Sequence, residues 1–578
     1  MPQNVKHKTK VFKYSISWLS YSLVFSFITF FWIFDSKLAI FGTNDDELMS
    51  SILNGAFGEN FRSNLIFIQP VLTYPLSYIQ SLIPSFNLYS IFLVEVVIFS
   101  YSAILASFYI FKNNLVRTIV TIIFALYGIT FISWFSINPT YTGASLYSIG
   151  TAAYFLFLMS IDKKENTKLS LFLISIFLLL GFFIRKESLF IFLLISIPLT
   201  SLYLYKNKSK NLNIKAVLVT IFSITLVITF NSVISKNSYQ SIEWQNYIQM
   251  NDLRHKVQLR APERYLSLHL SEVNWNNETY QIFQRFALLD KSEMNKKSME
   301  KILTVTKDYV GVRSIVSTPF IPTIKSVIVA FQPWTWILKL ILLNLAVFSF
   351  FLIFTKSKFT NFLRDLSVYF VPIIIGIIVI SSGYQLPERI TLNLLASSIP
   401  LIFLIFFSNL KSISLSKLNS VLIIAVTAFT SILYLNRFSI ELNARQDFYK
   451  SRISYSTQQQ EFLSKLNSDV VLLGSASVFR SDWRFPFAKY EEFDLNSRIV
   501  TLGWHNLSPL WMQKTDSLGI SGANFPNEYF NSKLFYVENA EDILVLKKYL
   551  ETKSFNFTLN EISEFGPSDF KMYKFTLN

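Results

Sequence analysis

Thr43-Asn44-Asp45-Asp46-Glu47 sets three consecutive carboxylates directly after the first long apolar run of the chain. A carboxylate held at a membrane edge suits the removal of a proton from a hydroxyl, and a neighbouring one suits positioning an acceptor or a divalent cation. The plainer reading is a helix cap: Asn44 or Asp45 would accept from free N–H groups at the start of the segment that follows. A cap needs one oxygen, however, and here there are three acids. Cations stand out in two other places. Phe183-Ile184-Arg185-Lys186-Glu187-Ser188 and Gln385-Leu386-Pro387-Glu388-Arg389 each interrupt apolar runs. Charges at such depths are costly unless they are paired or functional. Arg185 or Lys186 pairs with Glu187, and Arg389 with Glu388, or these cations hold an anion, for which an Arg fork suits phosphate.

Acids and cations at one depth make a two-part site, with a group to remove a proton and groups to hold a phosphate. Glycosyl transfer from a polyprenyl-phosphate sugar needs both. Asp45 or Asp46 would deprotonate the acceptor hydroxyl as it attacks the anomeric carbon. Glu47 or the other carboxylate would position the acceptor or a divalent metal, while Arg185, Lys186 and Arg389 hold the donor phosphate, a leaving group that needs charge stabilisation more than a proton. No metal-ligand set is assigned, and no cofactor is certain. Two other functions remain open. A polymerase of lipid-linked polysaccharide would concentrate basic residues in a large outer loop; a flippase would show paired half-sequences and charges inside its spans.

The elements that must position these residues are membrane helices. Of 578 residues 51% are hydrophobic and only 16% charged, and the mean hydropathy is +0.38. Apolar runs of about 17 to 21 residues recur, long enough to cross a hydrocarbon core of about 30 Å as helix. The fold class is therefore mostly α, a polytopic membrane protein. The chain has no cysteine, which excludes disulfides and cysteine-based sites. The formal charge of +16 lies largely in short loops between apolar runs, which is the positive-inside pattern and argues against a nucleic-acid partner.

Lys6, Lys8, Lys10 and Lys13 precede the first span, residues 15–35, so the N-terminus is expected in the cytoplasm and the acids outside it. After them Leu48, Met49, Ile52, Leu53, Ala56 and Phe57 recur at helical spacing, which predicts an amphipathic helix on the membrane surface. Residues 65–83 are apolar enough to span but carry Gln69, Pro70, Pro75 and Gln80. Reading them as re-entrant or interfacial keeps Lys112, Arg117, Lys163, Lys164 and Lys168 in the cytoplasm. Further spans follow at 89–111, 115–135, 143–161, 169–184, 188–205, 216–234, 337–354, 366–382, 390–407 and 421–435, about eleven in all counting the first. An outer loop over 36–88 and a large, helical outer loop over 236–332 complete a transmembrane region of residues 1–435. Residues 436–578 are expected to form an α/β domain outside the cytoplasm. Its strands are predicted at 469–474, 498–502 and 533–537, and a helix at 542–550.

This layout resembles the GT-C superfamily of membrane glycosyltransferases, of the protein O-mannosyltransferase and aminoarabinose-transferase type. Members carry an acidic residue or pair in the first outer loop, directly after the first span, and Asn44-Asp45-Asp46-Glu47 matches that arrangement. Ile184-Arg185-Lys186-Glu187 resembles the outer basic site that some members use for the lipid phosphate. The resemblance covers residues 14–435 in layout and short patches in sequence. It implies a multi-pass protein of the bacterial cell membrane, surrounded by membrane lipids, with a polyprenyl-phosphate sugar donor and a glycan, lipid or protein acceptor.

Other polar residues are assigned plainer roles. His7, His255, His269 and His505 show no metal-ligand spacing. Asn251, Asp252, Arg254 and His255 form a polar cluster in the large outer loop. Glu95 falls inside a span and is expected to pair with another helix. Gly474-Ser475-Ala476-Ser477 is read as a strand-to-loop turn, and Tyr141 and Trp334 as aromatics able to stack on a sugar.

Overall fold

In the computed structural model the described residues are 3–55, 62–108, 114–161, 167–207, 210–260, 269–286, 290–305, 465–467, 469–475, 485–487, 498–522, 525–564 and 570–578, with scattered positions between 360 and 446. The chain is mostly helical. Helices α1 (Gln3–Ser36), α2 (Asn44–Leu53), α3 (Pro70–Leu82), α4 (Leu88–Ser107), α5 (Asn114–Ile137), α6 (Tyr141–Ile161), α7 (Thr167–Ile184), α8 (Ser188–Asn207) and α9 (Lys210–Ser238) follow one another. The predicted spans up to residue 234 each coincide with one of them. Among the described residues three helices are long and apolar enough to cross a membrane: Tyr14–Ser36, Leu88–Ser107 and Tyr141–Met159. The spans expected at 337–354, 366–382, 390–407 and 421–435, and with them Glu388, Arg389 and Trp334, lie almost wholly outside the described residues.

Hydroxyls and small residues knit the bundle. On α6, Ser145 donates to the Gly181 carbonyl at 2.7 Å and Ser148 to the Phe177 carbonyl at 2.7 Å, both on α7. A Cβ at Gly181 would lie 2.6 Å from Ile149, so the bare glycine lets the two backbones approach. Tyr14 and Trp18 of α1 donate to carbonyls of Ala103 and Phe99 on α4. Glu95 of α4 does pair across helices, accepting from Ser26 at 3.0 Å.

Helix α3 has 13 residues, about 20 Å of rise, too short for a hydrocarbon core of about 30 Å. The N–H of Gln69 donates to the Phe183 carbonyl at 2.8 Å, fastening the start of α3 to the end of α7. Buried Gln80 donates to the Phe86 carbonyl and accepts from the Leu88 N–H, so its amide forms the corner into α4. Tyr74, Tyr78 and Leu82 are exposed on the other face, the layout of an interfacial helix.

Beyond α9 come α10 (Ile242–Arg260), α11 (Asn277–Phe286) and α12 (Lys296–Val305), the helices expected of the large outer loop. The C-terminal region holds one sheet of five strands in the order β2-β1-β3-β5-β4. Strands β1 (Val471–Ser475), β2 (Ile499–Leu502) and β3 (Leu534–Asn539) are parallel, and β5 (Phe570–Leu577) pairs antiparallel with β3 and with β4 (Phe557–Glu564). Helix α13 (Pro509–Ser517) follows β2 and α14 (Ala540–Thr552) follows β3. The first three strands and α14 fall within a residue or two of their predicted positions. The hairpin β4–β5 and α13 were not foreseen.

Candidate functional site

Thr43 caps α2; Asn44 and Asp45 lie within the helix, which corrects the expected cap. The Thr43 hydroxyl accepts from the Asp46 N–H at 3.2 Å and donates to Asp46 Oδ2 at 2.6 Å. The acids thus fall in the first turn, where the helix dipole favours negative charge. Gly55, with φ 85°, lets the chain leave the helix. Nor does α2 present its polar stripe to a surface. Asp46, Met49, Ser50, Ser51, Ile52 and Leu53 are all buried, and Ser50 Oγ accepts from Asn87 at 2.6 Å.

Asp46 has no exposed surface. Its Oδ1 accepts from the Tyr89 hydroxyl at 2.8 Å and from the Tyr141 N–H at 2.7 Å. Tyr141 is the first residue of α6, so the carboxylate satisfies an N–H that has no intrahelical partner and meets the positive end of that helix. One side chain therefore joins α2, α4 and α6. Asp45 and Glu47, on either side of it, are half-buried.

Arg185 follows the last turn of α7, where the dipole favours a cation. Its guanidinium donates to the Thr142 hydroxyl, lies 5.4 Å from the centroid of the Tyr141 ring and stands 3.5 Å from Glu187. The local ion pair allowed by the sequence is present, with an exposed Glu187. Arg185 and Asp46 thus meet on one residue, the first through the ring of Tyr141 and the second through its backbone. Lys186 is exposed; Arg389 lies outside the described residues.

From the large outer loop α10 adds a second guanidinium. Arg254 is only 7% exposed, and its Nε and Nη2 donate to Asn251 Oδ1 at 2.9 and 2.8 Å while Nη1 donates to Gln258. All of these acceptors are neutral. Burial pulls the Arg254 pKa below its ordinary value, and the Asp45 charge is among the influences opposing that pull. His255, next to it, is held below its ordinary pKa by partial burial and then by Arg254; its surroundings include Asp252, Glu187 and Arg185. Charges on α10 thus lie close enough to act on Asp45 and on the Arg185–Glu187 pair at the end of α7.

The C-terminal region closes the group. Trp504, just after β2, sets its ring 4.8 Å from Phe67, which stacks on Tyr141 at 5.8 Å and 11°. The Tyr247 hydroxyl of α10 donates to the Trp504 carbonyl at 2.8 Å. No family model matches this chain, and no curated protein matches it. Among solved structures it is similar to the crystal structure of ArnT from Cupriavidus metallidurans bound to undecaprenyl phosphate, with 10% identity, 97% of each chain covered and a TM-score of 0.36.

Tyr89 and Trp504 join the site without a signal of their own in the sequence. Arg254 belonged to a noted polar cluster, and its spacing with Asn251 and Gln258 on one helix face was the available clue. The ring of Tyr141, an aromatic able to stack on a sugar, lies between Phe67 and Arg185. Among the described residues no group of three His, Asp or Glu is placed to hold a metal.

Proposed function

We propose that this protein is a membrane glycosyltransferase. It moves a sugar from a polyprenyl-phosphate-linked donor to a cell-envelope acceptor on the outer face of the membrane, with Asp45 as general base. The observation that carries this reading is that Tyr141 gives its N–H to Asp46 and its ring to Arg185, with half-buried Asp45 next to Asp46 and its charge acting on Arg254. The acceptor hydroxyl gives its proton to Asp45 as its oxygen bonds to the anomeric carbon. The bond from that carbon to the phosphate oxygen breaks, and the electron pair stays on the phosphate. Arg185 and Arg254 offset the charge that develops there. Asp46 fixes the geometry by tying α2 to the N-terminus of α6, and Lys186, exposed beside Arg185, supplies long-range attraction for the anionic donor.

The N-terminus lies in the cytoplasm in this reading, and residues 436–578 outside it. The transmembrane region of residues 1–435 presents the site to the outer leaflet, where lipid donor and soluble acceptor meet. ArnT in the crystal structure named above holds undecaprenyl phosphate, the class of lipid carrier invoked here; the reading itself stands on the side chains. It is tested by transfer of labelled sugar from polyprenyl phosphate in membranes carrying the wild type, Asp45→Asn or Arg185→Gln. Transfer should fall sharply in the first, and the second should require more donor. Wild-type transfer by both, at equal protein levels, would end it.

A further inference from the structure

We infer that the connection after β2, residues 503–508, is the acceptor-binding wall of the site, with Trp504 as the stacking platform for a carbohydrate ring. This rests on the glycosyl-transfer reading above. β1, β2 and β3 are parallel, so their carboxyl ends share one edge, the edge outside which open α/β sheets bind ligands. Each of the connections leaving that edge touches the membrane region or the large outer loop. After β1, Phe487 packs on Phe30 and Phe34 of α1, and its carbonyl accepts from the Asn87 N–H. After β3, Glu541 pairs at 2.5 Å with Arg285 of α11. After β2, Trp504 meets Phe67.

Among the described residues of these connections, those after β2 are built to present a ring. At the β1–β3 junction Glu538 itself holds the Ser475 N–H and hydroxyl that a ligand would otherwise take. Trp504, by contrast, is partly exposed, and everything behind it is fixed. Its carbonyl is held by Tyr247, buried His505 is bonded to Thr501 at 3.0 Å, and Asn506 donates to the Phe286 carbonyl at 2.7 Å. Leu507 takes φ 63°, a conformation costly for a leucine and of the kind that clusters at ligand sites. The indole meets the Phe67 ring at 60°, and Phe67 in turn stacks on Tyr141, to which Asp46 and Arg185 are attached. A sugar ring offers an apolar face of C–H groups to such a surface and leaves its hydroxyls free to reach Asp45.

The test separates acceptor from donor. Purified protein in lipid nanodiscs is given radiolabelled polyprenyl-phosphate glucose, mannose or N-acetylglucosamine, with envelope material from cells lacking the protein as acceptor. Both transfer to that material and release of free sugar to water are followed. Trp504→Leu should raise the acceptor KM about three- to tenfold, the size of one lost stacking contact, with donor KM and release to water unchanged. Trp504→Phe should recover most of the loss. Equal changes in donor and acceptor KM, or none in either, would overturn the assignment. Absence of transfer by the wild type with every donor would instead defeat the glycosyl-transfer reading, and this inference with it.

Discussion

Removing the Asp46 carboxylate should destabilise the fold far more than removing that of Asp45. Asp46 is buried and receives the Thr43 hydroxyl, the Tyr89 hydroxyl and the Tyr141 N–H at 2.6 to 2.8 Å. In Asp46→Ala the Tyr89 hydroxyl and the Tyr141 N–H lose this acceptor inside the protein, at about 1 to 3 kcal/mol each. A loss of about 4 kcal/mol follows. Asp46→Asn keeps Oδ1 for both donors, and its new amide can donate to the Thr43 hydroxyl, so the cost is that of exchanging charged for neutral acceptors, about 2 kcal/mol. Asp45→Asn, at a half-buried first-turn position, should cost about 0.5 kcal/mol from the helix dipole. Thermal unfolding of the purified protein in one detergent would rank them: wild type, Asp45→Asn, Asp46→Asn, Asp46→Ala. An Asp46→Ala protein as stable as the wild type would refute the anchoring role.

Arg185→Gln should raise the donor KM about 10- to 100-fold, the worth of a charge-assisted hydrogen bond, read in donor titrations. Burial pushes Glu538 up to about 7 from 4.5 and His505 down to about 3 from 6.5. Folded Glu538 keeps its proton longer than the unfolded chain, so its contribution to stability falls as pH rises from about 4.5 to 7; buried His505 takes its proton later, so its contribution rises from about 3 to 6.5. The two oppose each other between about 4.5 and 6.5, and Glu538→Gln should leave stability rising with pH across that window in thermal unfolding. Because the chain has no cysteine, a single cysteine in place of exposed Glu551 reports topology. An impermeant maleimide should label it in intact cells, and labelling only after lysis would reverse the proposed orientation.

Much of the helical layer was legible because apolar length and charge are local signals. Residues 65–83 are set apart in the sequence by the placement of positive charge around them and by their prolines and glutamines; they hold only a 13-residue helix, and Gln80 forms the corner between α3 and α4. The strand alternation of Phe557 and Leu559 was there to be seen, but a register shift between Glu561 and Ser563 breaks the period before it is long enough to read. The acids stand out in the sequence, but which of them is buried does not. Thr43 displaces Asn44 and Asp45 as the cap because its hydroxyl serves both the N–H and the carboxylate of Asp46. What buries Asp46 comes from Tyr89 and Tyr141, far along the chain. Trp504 enters by the same kind of long-range contact, which no local spacing announces.

Single-turnover transfer by purified protein in lipid nanodiscs tests the central claim most directly, with labelled polyprenyl-phosphate sugar bound to saturation and envelope acceptor then added. Asp45→Asn should bind donor as the wild type does and transfer its sugar about 10² to 10⁴ times more slowly, the usual loss on removing a general base. Transfer by Asp45→Asn at the wild-type rate, with donor equally bound, would contradict the account.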